Sequence, residues 1–186
     1  MLSLLAFLIL LSTQTQAQKA IELDKSPLDM AYYPNNFAHD RKFAPDKVGD
    51  KAYVRVTYSR PAKKDREVFG KLIPYGKVWR TGANEATEIK FYQDVTIQGK
   101  KINAGTYALF TIPNEKEWTI ILNSDLDYWG AYSYNEAKDV MRVTVPVKKA
   151  ENVMENFTIQ FSKGNQNDTI MQLGWDNTVA ELSIKF

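Results

Sequence analysis

Apolar and polar residues alternate along several short stretches of the chain, which is typical of β-strands with one buried face. The clearest case is Phe157–Lys163, where Phe, Ile and Phe alternate with Thr, Gln and Ser, and Thr178–Phe186 follows the same pattern. Further strands are predicted from alternation or from aromatic and β-branched content at Ala52–Tyr58, Glu88–Phe91, Val95–Ile97, Thr106–Ile112, Trp118–Leu122, Val140–Val147 and Thr169–Gly174. About nine short strands separated by turns predict an all-β fold, an antiparallel β-sandwich.

Helical periodicity is scarce. Only Lys64–Leu72, which Gly70 interrupts, and Asn135–Val140 are predicted as short helices. Residues 18–50 are rich in turn residues and hold no period for long, so they are predicted as an irregular lead-in. Residues 51–186 show no internal repeat and no linker, and we predict that they form a single β-sandwich domain.

The N-terminal segment predicts export. Met1–Leu11 is apolar apart from one serine, and it is followed by small and polar residues that end at Ala17. This pattern predicts a secretory signal peptide over residues 1–17, and the apolar run is shorter than the roughly 20 residues that a membrane-spanning helix needs. The alternatives are a membrane anchor or an N-terminal strand. We therefore expect a periplasmic or secreted protein with no membrane span once the signal is removed.

Composition narrows the possible chemistry. The chain has no cysteine and one histidine, His39, so disulfides, the usual structural zinc sites and a well-supported Ser-His-Asp triad are not expected. Asn123–Asp127 spaces its oxygen ligands like a calcium loop but lacks the glycine and the closing glutamate of that loop. The net charge of +2 is spread thinly, without a basic patch for nucleic acid. No metal and no cofactor are predicted.

The stretch Pro74–Thr87 fits neither a strand nor a helix, and it concentrates functional groups in one connection. Arg80 offers a planar fork for a carboxylate, a phosphate or a pair of sugar hydroxyls. Asn84 is both donor and acceptor, Glu85 is a candidate base or acceptor, and Trp79 is a candidate stacking platform. The structural alternative is equally open at this point: Arg80 pairs with Glu85, and Trp79 fills the core.

Two other stretches contribute candidates. Tyr58–Pro61 places Arg60 at the end of a strand, and Tyr128–Tyr134 is a run of aromatics without strand period that either stacks on a ligand or caps the core. The residues predicted to line one ligand site are Arg60, Trp79, Arg80, Asn84, Glu85, Thr87, Trp129 and Tyr132.

The same residues carry a family resemblance. The motifs are Tyr58–Pro61, Phe69-Gly70, Pro74–Thr87, Gly105–Pro113, Trp118–Ile121 and Trp129–Tyr132. Together they resemble a family of exported bacterial proteins, the domain of unknown function twenty-nine eleven, from about Ser26 to the C-terminus. The resemblance implies no activity and no catalytic residue. Gly105–Pro113 is also similar to a strand of transthyretin-like and immunoglobulin-like modules, which favours the sandwich and says nothing about function.

Three functions remain open from the sequence. The leading hypothesis is a binding module for a small polar or anionic ligand, such as a glycan fragment or a peptide end. The second is a hydrolase with Glu85 as general base, assisted by Arg80 and Asn84. The third is a structural protein of the envelope. The sequence decides neither between them nor the oligomeric state.

Overall fold

The computed structural model describes residues 22–165 and 167–186, so the predicted signal peptide lies outside the described residues. One α-helix is present in this part of the chain, α1 (Phe37–Phe43), together with 3-10 helices at Pro45–Lys47 and Glu136–Lys138. The strands are β1 (Leu28–Tyr33), β2 (Val54–Ser59), β3 (Thr87–Phe91), β4 (Val95–Ile97), β5 (Lys100–Ile102), β6 (Gly105–Pro113), β7 (Glu117–Asn123), β8 (Asp139–Lys163) and β9 (Asp168–Lys185).

All neighbouring strands are antiparallel, in the order β1-β2-β3-β6-β7-β8-β9-β4-β5. The prediction of an all-β antiparallel fold with about nine strands is confirmed. The alternation that predicted β2 is visible in its burial, since Val54 and Val56 are fully buried while Arg55 and Thr57 between them are partly exposed. Side chains on successive residues of a strand point to opposite faces, so one face of β2 enters the core.

Two strands are longer than predicted. β8 joins the predicted strands Val140–Val147 and Phe157–Lys163, and β9 joins Thr169–Gly174 and Thr178–Phe186. The β8–β9 ladder shifts register on both sides of Met154. The first part of β8 pairs with β7 and the rest pairs with β9, so this strand links the two halves of the sheet.

The inner faces of both halves meet in one core. Its centre is a cluster of buried aromatic side chains: Phe69, Trp79, Trp118, Phe157 and Trp175. The ring centroids of Phe69 and Trp118 are 4.8 Å apart, and those of Trp79 and Phe157 are 5.0 Å apart. Aromatic pairs at such distances add stabilisation beyond the burial of their area. The connection between β2 and β3 supplies Phe69 and Trp79. The cluster therefore holds this connection against the strands.

The predicted helix at Lys64–Leu72 is wrong. Lys64 and Asp65 have φ angles of 48° and 59°, which are incompatible with a right-handed helix. The segment instead winds through turns that bury Val68 and Phe69 in the core. Tertiary burial of these two residues outweighs a weak local helical preference. The second predicted helix, Asn135–Val140, is reduced to the 3-10 helix Glu136–Lys138, because β8 begins at Asp139.

The lead-in is more ordered than predicted. β1 pairs along its whole length with β2, and α1 follows it. Phe37 of α1 is buried in a small cluster with Val48 and Ala52. The irregular composition of residues 18–50 concealed these elements, because each is short and gains its stability from packing onto the sheet.

β2 and β8 meet along a line that we call the seam. Beyond the end of β2, Ala62 bridges to Asn156, and the Phe157 amide donates to the Pro61 carbonyl over 2.9 Å. Side chains then donate to alternate carbonyls of β8: Arg60 Nε to Phe157 at 3.2 Å, Tyr58 Oη to Ile159 at 3.1 Å and Asn35 Nδ2 to Phe161 at 3.1 Å. Side chains thus close the sandwich where strand pairing ends.

Candidate functional site

Trp79 is a core residue. Its backbone forms a bridge with Thr111 of β6, and its side chain is only 5% exposed. The indole stacks on Trp175 at 5.9 Å, and its Nε1 donates to the Gly82 carbonyl over 3.0 Å. Of the two interpretations left open by the sequence, this geometry matches the core plug.

The turn after Trp79 is fixed by buried hydroxyls. Thr81 is fully buried with a φ of 56°, and the side chain of this β-branched residue donates to Thr111 Oγ1 over 3.1 Å. Thr87 is also buried, and its hydroxyl donates to the Thr81 carbonyl over 2.6 Å. A Cβ on Gly82 would lie 3.0 Å from the Ser59 carbonyl oxygen and 3.2 Å from Thr87 Oγ1, so the turn packs tightly against the end of β2 here. Thr87, a predicted ligand contact, is therefore engaged inside the turn.

Arg60 is engaged in the seam. Besides its bond to Phe157, its guanidinium donates to Asp29 Oδ2 of β1 and to Thr158 Oγ1 of β8, each over 3.0 Å. These bonds span β1, β2 and β8, so Arg60 joins the two edges of the sandwich.

Arg80 does not form an ion pair with Glu85 within the described residues. The Nε of Arg80 is buried and has no hydrogen-bond partner in the part of the chain that the structure describes. The structural alternative of an Arg80–Glu85 pair is not what the geometry shows.

Asn84, Glu85 and Trp129 do come together. The segments around Glu85 and Trp129 form an antiparallel bridge, flanked by amide-to-carbonyl bonds of 2.9 Å from Gly130 to Asn84 and from Ala86 to Tyr128. Asn84 adopts a φ of 59° and Gly130 a φ of 71°, conformations that asparagine and glycine tolerate best. We call Tyr128–Tyr134 the aromatic loop. The bridge and its flanking bonds hold this loop against the end of the Trp79–Thr87 turn.

These residues line a groove on the outer face of β1, β2 and β3. The groove encloses about 510 Å³, within the range of small-molecule sites. Its lining residues are Asp24, Ser26, Leu28, Thr57, Tyr58, Ser59, Asn84, Glu85, Ala86, Glu88 and Trp129. Among the predicted site residues, Asn84, Glu85 and Trp129 line it, while Arg60, Trp79, Arg80, Thr87 and Tyr132 do not.

The sequence interpretation missed most of the groove, since eight of its eleven lining residues were not among the predicted site residues. Asp24, Ser26 and Leu28 belong to the lead-in, which was predicted to be irregular. Thr57 and Glu88 lie opposite each other in the β2–β3 register and form the floor. The alternation of β2 already placed Thr57 on the outer face, so that part of the groove had a signal in the sequence.

The aromatic loop divides its side chains between two roles. Tyr128 and Tyr134 pack on a small second cluster around Phe110 and Ile121, on the outer face of the sheet. Trp129 and Tyr132 are 62% and 86% exposed. Tyr128 and Tyr134 thus match the interpretation as core caps, whereas Trp129 and Tyr132 match the interpretation as a stacking platform.

A polar network anchors the same loop. Asp139 accepts hydrogen bonds from Tyr134 and Arg142 over 2.6 Å each, and Asn123 Nδ2 donates to it over 2.8 Å. Burial and the bond to Asp139 raise the pKa of Tyr134 to about 12. Nearby, a hydrogen bond to Asp125 is the main cause that raises the pKa of Tyr128.

The groove is acidic. Three of its lining residues carry carboxylates, namely Asp24, Glu85 and Glu88. No Lys, Arg or His is among the residues that line the groove. Within residues 22–165 and 167–186, no group of three or more His, Cys, Asp or Glu side chains is arranged to hold a metal ion. The helices of the same residues are too short or too polar to cross a membrane.

Comparison with known proteins gives a family and no function. The model of the family described as Protein of unknown function (DUF2911) matches residues 41–184, in agreement with the resemblance drawn from the motifs. No curated protein and no solved structure matches the chain. Function therefore has to be argued from the groove.

Proposed function

We propose a function for this chain, which belongs to the DUF2911 family, from the geometry of its groove. On this proposal the chain is an exported binding module for a small polar ligand, and its groove binds a glycan fragment. The hydrolase and the structural envelope protein remain as alternatives that the experiment below separates from it.

The observation that carries the proposal is the position of Trp129. The other three tryptophans, Trp79, Trp118 and Trp175, are at most 5% exposed, whereas Trp129 is 62% exposed on the wall of the groove. A large aromatic surface facing water at a concave site favours a stacking partner, and the C–H face of a sugar ring suits an indole.

The polar groups of the groove complement a ring with many hydroxyls. Asn84 both donates and accepts, while Glu85 and Glu88 accept. A sugar offers donors and acceptors around its edge and an apolar face on the ring, which matches acceptors on the floor and an indole on the wall. Among the ligands considered from the sequence, the carboxylates of the lining disfavour an anion.

Two of the three residues of the hydrolase alternative line the groove. Glu85 and Asn84 line it, but Arg80 does not. Glu85 is exposed and belongs to no ion pair among the described residues, so nothing in its surroundings matches the assistance by Arg80 that this mechanism requires. Binding without turnover is therefore the better-supported function.

Intrinsic fluorescence tests the proposal directly. Because Trp129 is the exposed tryptophan, iodide quenches it selectively, and a bound glycan is expected to protect it. The protein is screened on a glycan array, and each hit is titrated with iodide quenching as the readout. Binding by the variants is measured by calorimetric titration, because Trp129→Ala lacks the fluorescent reporter. Trp129→Ala is expected to abolish binding, while the matched variant Tyr132→Ala, which alters an exposed aromatic outside the groove, retains it.

The same samples separate the alternatives. Unchanged glycan recovered after long incubation supports a binding module, whereas cleavage that disappears in Glu85→Gln establishes the hydrolase. Glycan binding that survives Trp129→Ala, or a complete lack of hits with an intact fold, contradicts the proposal and favours a structural role.

A further inference from the structure

We infer that the ligand of the groove is cationic, and specifically that it is an amino sugar with a free ammonium group. This inference rests on the proposed function and adds the charge of the ligand to it.

The first argument is the local sign of the charge. The whole chain has 24 basic and 22 acidic residues, so an average surface region contains both signs. The groove departs from this average, because Asp24, Glu85 and Glu88 line it without any basic residue. No ion pair among the described residues includes any of these three carboxylates.

The second argument is the placement of one carboxylate beside the indole. Glu85 and Trp129 lie directly opposite each other in their antiparallel bridge. Side chains of such a pair stand on the same face with Cβ atoms about 4.5–5.5 Å apart. An ammonium group next to Trp129 is thus within reach of both a carboxylate and an aromatic face, the two groups that recognise cations most strongly.

The third argument concerns the rest of the floor. Glu88 lies in the adjacent strand, opposite Thr57, and Asp24 lines the same groove from the lead-in. A bound cation is attracted to the carboxylates that line the site, whereas a neutral sugar is not. The indole selects for a ring, and the carboxylates select for the ammonium group on it.

The test compares three probes by calorimetric titration of the purified protein. They are a tetramer of β-1,4-linked glucosamine, its fully N-acetylated counterpart and a linear diamine. The glucosamine tetramer is expected to bind at least tenfold more tightly than the other two, since one charge-assisted hydrogen bond corresponds to about tenfold in affinity. Raising the salt concentration is expected to reduce the difference in affinity between the glucosamine tetramer and the other two probes.

Variants assign the preference to the groove. Glu85→Gln and Glu88→Gln keep the shape of the side chain, and each is expected to reduce the preference for the free amine by about tenfold. Glu115→Gln, an exposed carboxylate in the β6–β7 turn, is the control and is expected to change nothing. Circular dichroism checks that each variant is folded.

The outcomes distinguish the two levels of the proposal. Equal binding of both tetramers, lost in Trp129→Ala, overturns the inference about charge and leaves the glycan-binding function standing. Equal binding of the diamine and the glucosamine tetramer overturns the assignment to a sugar. A lack of binding by all three probes overturns the inference, while the array decides the proposed function independently. A free-amine preference that survives both glutamine variants also overturns it.

Discussion

The seam and the groove both gather polar side chains on the sandwich, but they use them differently. In the seam, Arg60 donates to Phe157, Thr158 and Asp29, and Tyr58 donates to Ile159. In the groove, Glu85 and Glu88 belong to no ion pair among the described residues. Polar groups that are mutually satisfied hold a structure together, whereas polar groups that lack partners in a concave site are available to a ligand.

The difference shows how residue type misleads. Arg60 and Glu85 were both predicted from the sequence to line the ligand site, because each is a charged residue next to a turn. Their environments in the fold separate them, and the partners that do so are far away along the chain.

The largest expected effect is that of Trp79→Ala, which tests whether this residue belongs with the structural residues of the seam. Removing a large aromatic from the core should lower the free energy of unfolding by about 4 kcal/mol. Denaturant unfolding measures the loss. Trp79→Phe, which keeps part of the packing, is expected to lose less, and ligand binding by that variant should be retained. An alanine variant with wild-type stability and no binding would instead place Trp79 in the ligand site.

The next effect is that of Arg60→Met, which breaks the seam and leaves the groove intact. The Phe157 carbonyl and Asp29 lose a donor, and we expect a loss of about 2 kcal/mol in the free energy of unfolding. For a protein of this size, that is a fall of roughly 4–8 °C in melting temperature. Arg55→Met, on the outer face of β2, is the matched control. If Arg60→Met has the same melting temperature as Arg55→Met but binds no ligand, Arg60 belongs to the ligand site and not to the seam.

A smaller effect is expected at alkaline pH, through the loop that carries Trp129. Because the fold raises the pKa of Tyr134 to about 12, its neutral form stabilises the native state fully below pH 10. That contribution disappears as the pH rises from about 10 to about 12. In Tyr134→Phe, the melting temperature should therefore fall less over this interval than in the wild type. Tyr132→Phe, on an exposed side chain, should behave like the wild type, and identical pH profiles for all three proteins would refute the prediction.

The smallest effect on stability is expected for Glu88→Gln. The variant removes a charge from the floor without breaking any ion pair among the described residues, so its free energy of unfolding should stay within about 0.5 kcal/mol of the wild type. A loss of more than 1 kcal/mol in thermal unfolding would show that Glu88 has a structural role.

Much of the fold was predictable because alternation is a local signal. The burial of Val54 and Val56 next to the partly exposed Arg55 and Thr57 can be inferred from consecutive residues. What the sequence could not show is continuity: β8 and β9 each run through a register shift or an irregular residue, and such points look like turns. Asp176, with a φ of 54°, is one of them.

The site was predictable only in part, for a related reason. Asn84, Glu85 and Trp129 were identified from their chemistry, but their common location depends on a bridge between residues 44 positions apart. The partners of Arg60 on β8 are 97 and 98 positions away. Such contacts are set by tertiary structure, and a single sequence carries no pattern from which they can be derived.

The seam also bears on solubility. A strand edge with open carbonyls at alternate positions is a template on which a strand of another molecule can add. In this protein, Arg60, Tyr58 and Asn35 occupy the carbonyls of Phe157, Ile159 and Phe161, which are the groups that an incoming strand would need. The side chains that close the sandwich therefore also oppose edge-to-edge aggregation at this strand.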